Sequence, residues 1–153
     1  QALLLLRLRA LAADGRLQEA LRLLPDPLPE DVDMLAVAAA IHFRLEDYPQ
    51  ALKVLLTLRL HQSPLGDRER FMLAECLFRT GAIDRAEPLY ADIGESHPFY
   101  EQSLFRRAEI ARGRGNEQEA LSFFSKIVET GKNPLWKKFA ERELQFATLK
   151  KRR

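Results

Sequence analysis

A period of 34 residues constrains this chain more than any local motif. Gly81, Ala86, Tyr90 and Ile93 return as Gly115, Ala120, Phe124 and Ile127, each displaced by that interval. Ala74 returns as Ala108, Phe71 as Phe105 and Glu75 as Glu109. A fixed period between roughly 20 and 50 residues marks a stacked-repeat architecture, in which no unit can bury its apolar face without a neighbour. Such folds build extended surfaces far more readily than catalytic pockets, so the expected work is binding.

Inside one period the pattern is helix, break, helix. Residues 67–80 carry Phe71, Leu73, Ala74, Leu77 and Phe78 at helical spacing, and Gly81 then tolerates the left-handed backbone that ends a helix. Residues 83–95 supply the partner helix through Ala86, Leu89, Tyr90 and Ile93, and Pro98 closes the unit. The next period repeats this as 100–112, the break 113–115, and 117–130, ended by Gly131 and Pro134. Gly113 and Gly115 form a G-x-G, but no strand precedes it, so a helix turn is expected rather than a dinucleotide loop.

Two weaker copies lie upstream. Residues 35–44 form a first helix, and Asp47 with Gln50 has capping-box spacing ahead of Ala51, Leu52, Leu55 and Leu58, with Pro49 acceptable in the first turn. Ala51 to Ala86 is 35 residues, which puts one insertion near 63–66. The first copy spans 2–13, a turn at 14–16, and 17–24; Ala20 to Ala51 is only 31, so the proline-rich loop 25–29 cuts that hairpin short. A ninth helix from 134 to about 149 is expected to bury Trp136, Phe139, Ala140, Leu144 and Phe146 on one side. It is expected to cap the stack, with Trp136 as its anchor.

The turn segments Gly81-Ala82-Ile83-Asp84-Arg85-Ala86 and Gly115-Asn116-Glu117-Gln118-Glu119-Ala120, with Ala39, Ala74 and Ala108 at the small site of the first helix, resemble the tetratricopeptide repeat. Gly15-Arg16-Leu17-Gln18-Glu19-Ala20 and Asp47-Tyr48-Pro49-Gln50-Ala51 are weaker copies of that turn. The resemblance implies an all-α, right-handed superhelical α-solenoid of about four helix hairpins plus a C-terminal capping helix. The expected organisation is one domain over 1–153, with repeats at about 1–31, 32–66, 67–100 and 101–134, the capping helix at about 134–149 and a basic tail at 150–153. Arg70, Leu77, Leu104 and Ala111 stand where the family often has Trp or Tyr, and Pro88 sits inside a second helix.

In that family the first helix of each pair lines a concave groove. Carried onto this chain, the groove positions are Phe43; Arg68, Phe71, Glu75, Phe78 and Arg79; and Gln102, Phe105, Arg106, Glu109 and Arg112. Phe71 and Phe105 are read as not needed for helix crossing. The groove would then have an aromatic floor and alternating Glu and Arg walls, suited to a peptide with apolar anchors and at least one basic residue. The family's carboxylate clamp of Lys and Asn is missing, since its positions hold Leu5 and Arg9, Ala36 and Ala40, and Phe71 and Glu75.

Bulk properties narrow the alternatives. The net charge of +2 is too small to imply an anionic partner, although residues 132–153 carry +6 and the rest −4. Cys76 is the single cysteine, so no internal disulfide exists, which fits a reducing cytoplasm and equally a bacterial periplasm. The apolar runs 2–6 and 34–41 fall far short of a membrane span.

His42, His61 and His97 are scattered and no catalytic, metal or phosphate motif occurs, so a non-enzymatic adaptor with no cofactor, metal or small-molecule substrate is expected. Richness in Leu, Ala and Arg suggests a bacterial source, where secretion, envelope or motility assemblies use such proteins. RNA-binding helical repeats are the first alternative, disfavoured because Phe, Glu and Arg hold the positions of small polar base readers. The tail 150–153 offers a weak contact to phosphate or an anionic membrane surface. Self-association through Leu3–Leu6 with Leu8, giving a homodimer, is the second.

Overall fold

The computed structural model describes residues 1–153 as nine α-helices with no strand. In order they are α1 (Ala2–Ala13), α2 (Leu17–Leu23), α3 (Val32–Arg44), α4 (Tyr48–His61), α5 (Asp67–Arg79), α6 (Ile83–Ala91), α7 (Tyr100–Gly113), α8 (Glu117–Thr130) and α9 (Pro134–Lys151). The chain is all-α, as the period predicts. None of these helices is long and apolar enough to cross a membrane.

Two boundaries differ from the sequence reading by three residues or more, each for a local reason, and α9 continues two residues into the expected tail. Helix α3 starts three residues early because the Asp31 carboxylate accepts the Met34 N–H at 3.0 Å and caps the extra turn. Helix α6 ends at Ala91 instead of 95. Pro88 has no N–H to donate, and the last bonds, Asp92 N–H to the Pro88 carbonyl and Ile93 N–H to that of Tyr90, tighten ahead of Gly94.

One turn joins both helices of each of the four hairpins. Gly15, Glu46, Gly81 and Gly115 all have positive φ, at 76°, 60°, 91° and 77°. In each case the next residue's N–H reaches back over the turn: Arg16 to Leu11, Asp47 to His42, Ala82 to Leu77 and Asn116 to Ala111, at 2.8–2.9 Å. That six-to-one bond with a left-handed residue is a Schellman-type stop, which satisfies carbonyls the helix end would leave bare. Five residues past each left-handed position stands an alanine, Ala20, Ala51, Ala86 or Ala120, and all four are fully buried. Ala39, Ala74 and Ala108 on the preceding helices are also fully buried. The first hairpin departs: Leu8 occupies the position of those alanines and is itself fully buried.

Contacts gather the chain into two compact units, Gln1–Ala86 and Glu87–Arg153, with the division falling within α6. In the first, α1 packs on α2 and α3, α3 on α4, and α4 on α5. Leu8, Leu11, Ala20, Met34 and Ile41 form a core there, lapped by Leu21, Leu24, Leu28 and Val37. In the second, α7 packs on α8 and α8 on α9 around Leu104, Ala108, Ala120, Phe123, Phe124, Ile127 and Ala140.

The start of α9 is fixed twice over. Asn133 caps the helix by accepting the Leu135 N–H at 2.9 Å. The buried Glu101 carboxylate on α7 accepts the N–H groups of Lys132 at 2.9 Å and Asn133 at 3.2 Å. A charged acceptor shared by two backbone donors is among the stronger neutral-backbone anchors, and it ties the turn after α8 to α7.

Glu46 is the one non-glycine at a left-handed turn position, a conformation that costs an L-residue about 1–2 kcal/mol. Glu46→Gly is therefore expected to stabilise the chain by about 1 kcal/mol and raise its melting temperature by about 2–4 °C. Gly81→Ala should do the reverse, although a methyl there meets nothing within 4 Å, because the cost lies in the backbone. Thermal denaturation of both variants checks the pair; equal melting temperatures would refute the turn assignment.

Candidate protein-binding surface

In the unit Gln1–Ala86 the first-helix positions divide by depth. Arg68 and Arg79 are exposed, and Phe43 and Phe78 are half-buried. Phe43 meets Tyr48 edge to face at 5.8 Å between centroids, and the Arg79 guanidinium lies 5.5 Å from the same Tyr48 ring. Tyr48 thus holds one aromatic and one cation in place at the mouth of the α3–α4 and α5 ends, a geometry suited to cation–π attraction. Phe71 and Glu75 are 3% and 4% exposed. The alternating Phe–Glu pattern of α5 is buried in the structure, so those two residues do not offer the open floor and wall that the repeat pattern predicts.

Beside Glu75 lies Cys76, whose thiol is pushed up to about 12 by burial and, secondarily, by the Glu75 carboxylate. A thiol held neutral and out of solvent is a packing residue, not a nucleophile.

In the unit Glu87–Arg153 the expectation that Phe105 is spare for ligand is corrected. Its ring lies 5.1 Å from both Trp136 and Phe139 and 6.5 Å from Phe124. It is the hub through which α7 holds α8 and α9, and its repetition at Phe71 follows a packing demand. Trp136 takes the anchoring role read for it, packed on the same core.

The polar residues of α7 are engaged with one another. Arg106 donates to Glu109 at 2.7 Å. Arg112 donates to both oxygens of Glu117, at 3.0 and 3.1 Å, and to Glu143 at 3.0 Å, with its guanidinium 5.2 Å from the Phe124 ring. The bond from Arg112 holds the Glu117 carboxyl below its usual range, and the same bond raises the guanidinium. One side chain thereby pins the end of α7 to the first turn of α8 and to the middle of α9. Gln102 is half-buried beside them. Glu117 was legible from its spacing to Arg112 on the hairpin, whereas Glu143, 31 residues away, had no local signal.

No group of three or more His, Cys, Asp or Glu residues converges to hold a metal ion. The histidines serve locally: His42 lies 3.6 Å from Asp47, His61 3.3 Å from Glu30, and the His97 ring accepts the Phe99 N–H at 3.1 Å.

A family model for the tetratricopeptide repeat matches residues 36–100. Among solved structures the chain is similar to one described as MamA AMB-1, with a TM-score of 0.77 and 18% identity, covering 98% of this chain and 88% of that one. At that identity the likeness shows the fold, which is consistent with an α-solenoid. No curated protein matches the sequence.

Two measurements check the roles assigned here. Phe105→Ala should destabilise the chain by about 2–3 kcal/mol, read by denaturant unfolding, because a half-buried hub of four aromatic rings is emptied; a loss below about 0.5 kcal/mol would return Phe105 to the ligand. Cys76 in the folded chain at pH 8 should react with a disulfide reagent at least about a hundredfold more slowly than after unfolding. Comparable rates would contradict its burial.

Proposed function

We propose, from the match of residues 36–100 to the tetratricopeptide-repeat model, that this chain is a non-enzymatic adaptor that holds a segment of another protein against the exposed first-helix residues of its hairpins. The observation that carries this reading is the depth sorting on those helices. Phe71 and Glu75 are buried and the half-buried Phe105 is taken up by its ring contacts, while Phe43, Arg68, Phe78 and Arg79 in one unit and Gln102, Arg106, Glu109 and Arg112 in the other keep part of their surface in solvent. Stacked helical hairpins present such rows of side chains on a rigid frame, which is the usual use of repeat folds.

The chemistry of each unit's own residues describes what that unit would hold. Phe43 and Phe78 would receive apolar anchors, Arg68 and Arg79 carboxylates, and the Arg106–Glu109 pair a residue of either sign. An extended or helical peptide with apolar anchors and charges of both signs fits. Assembly of a bacterial secretion, envelope or motility complex is the setting we propose.

Self-association is a second reading, favoured by one observation: Leu3 and Leu6 on α1 are 83% and 61% exposed. Leu8, expected to join them, is fully buried and takes no part. Sedimentation of the wild type and of Leu3→Ser/Leu6→Ser at two concentrations distinguishes a dimer from a monomer.

A photo-crosslinking amino acid placed at Arg79 should trap a discrete partner in cells of the source, while the same group at Lys126 on α8 should not. Arg79→Glu combined with Glu109→Lys should lower recovery of that partner by at least about tenfold, with the melting temperature moving by no more than about 2 °C. Crosslinks that favour Lys126, or unchanged recovery, would rule the first-helix surface out.

A further inference from the structure

Helix α9 has more apolar surface than its packing uses. Trp136, Ala140 and Leu144 face the core of the second unit. Leu135, Phe139, Phe146 and Leu149 remain 79%, 37%, 68% and 60% exposed. Spacings of four, seven and three residues put these four on one stripe at the helical repeat, beside the buried face. Toward the C-terminal end the stripe is no longer convex. Phe146, Ala147 and Leu149 line a cleft of about 900 Å³.

The cleft is charged on both sides, but unequally. Arg112, Glu117 and Glu143 line it too, the one arginine shared between both carboxylates through ion pairs of 3.0 Å. Lys150, Arg152 and Arg153 are its other lining cations. None of the three forms a salt bridge at contact distance, although the charge of Lys150 helps to lower the Glu117 carboxyl. Four cations against two carboxylates leave the lining cationic, at 4 − 2 = +2, around an apolar floor.

We propose that this cleft docks an acidic segment of a partner protein, seating a bulky apolar residue on Phe146 and Leu149 and its carboxylates on Lys150, Arg152 and Arg153. Concavity selects a side chain over a flat lipid surface, because a bilayer would reach the rim cations and leave the floor uncovered. The exposed aromatic floor selects a protein segment over bare phosphate, which would have no use for Phe146. The surface goes beyond the first-helix row and shares only Arg112 with it.

The test is a random twelve-residue peptide library displayed against the chain 1–153, followed by affinity measurement of the enriched peptides by fluorescence anisotropy. Enriched peptides should combine Asp or Glu with Leu, Phe or Trp. Their binding should fall by about tenfold or more in Phe146→Asp and again in Lys150→Glu/Arg152→Glu, and should weaken between about 50 and 300 mM salt. Arg79→Glu/Glu109→Lys should leave it within about twofold, so that failure of the first-helix reading and failure of this one are separable.

Four results would overturn the proposal. They are no enrichment, enrichment without acidic residues, affinity that survives both cleft substitutions, and retention by phosphatidylserine vesicles or single-stranded RNA where acidic peptides are not retained. Phe146, Lys150 and Arg152 are all exposed, so an unchanged melting temperature in each variant confirms that binding, and not folding, was altered.

Discussion

Close approach of two helices at a buried alanine is the constraint on which the rest of this structure depends. A left-handed turn residue reverses the chain, and five residues later a side chain of one methyl sits with no exposure at all. Interiors packed to crystal density leave no slack at such a crossing, so a larger residue must push the helices apart. Both parts of the device are local in sequence, which is why the chain can repeat it at 31, 35 and 34 residues and tolerate the unequal loops between. The first hairpin keeps Ala20 but takes Leu8 on the opposite helix, and its second helix is the shortest, at seven residues. One small residue there is matched with one large one, a complementarity that keeps volume constant.

In the second unit an aromatic hub does the corresponding work. Phe105, Phe124, Phe139 and Trp136 come from α7, α8 and α9, so removing any one loosens contacts of two helices at once. Glu101 complements the hub from the other end of α7 by holding the turn into α9 through backbone donors. Arg112 closes the third corner with carboxylates on α8 and α9. Helix α9 is thus held at its start, its centre and its side. Its remaining face is free of these duties.

Much of the fold was legible because the signals were periodic and local. Gly81 and Gly115 mark turns, the alanines mark crossings, and Asp47 with Gln50 marks a cap that forms at 3.4 Å. Glu46 was not legible as a turn residue, since nothing in a glutamate announces positive φ; only its distance from Ala51 does. The first-helix surface was less legible than the fold. Repetition of Phe and Glu at a 34-residue interval is equally the mark of a packing demand and of a binding row, and burial at Phe71 and Glu75 and ring contacts at Phe105 are what separate them. Phe71, Glu75 and Phe105 went to packing, while Arg68 and Arg79 stayed in solvent. The cleft on α9 was not legible at all. It joins residues around 112–117 to residues around 143–153, and no repeat interval links those segments.

The charges of this chain sort into two populations with different physical meaning. Arg16 with Glu19, Arg106 with Glu109, and Arg112 with Glu117 and Glu143 are matched at hydrogen-bond distance. Arg16 with Glu19 is open to solvent on both sides and so is weakly held, and a partner that offers better geometry can exchange it. Lys150, Arg152 and Arg153 have no such match in the structure, and their field extends over a Debye length of about 8–10 Å before salt removes it. Unmatched charge sets how fast and how selectively a partner arrives, while the apolar floor beside it sets how long the partner stays. In the second unit both ingredients meet at α9, and along the first helices they are spread over separate residues. The two proposed surfaces therefore differ in kind: one would read a segment by side chains set apart along its helices, and the other would grip a short acidic stretch at one point.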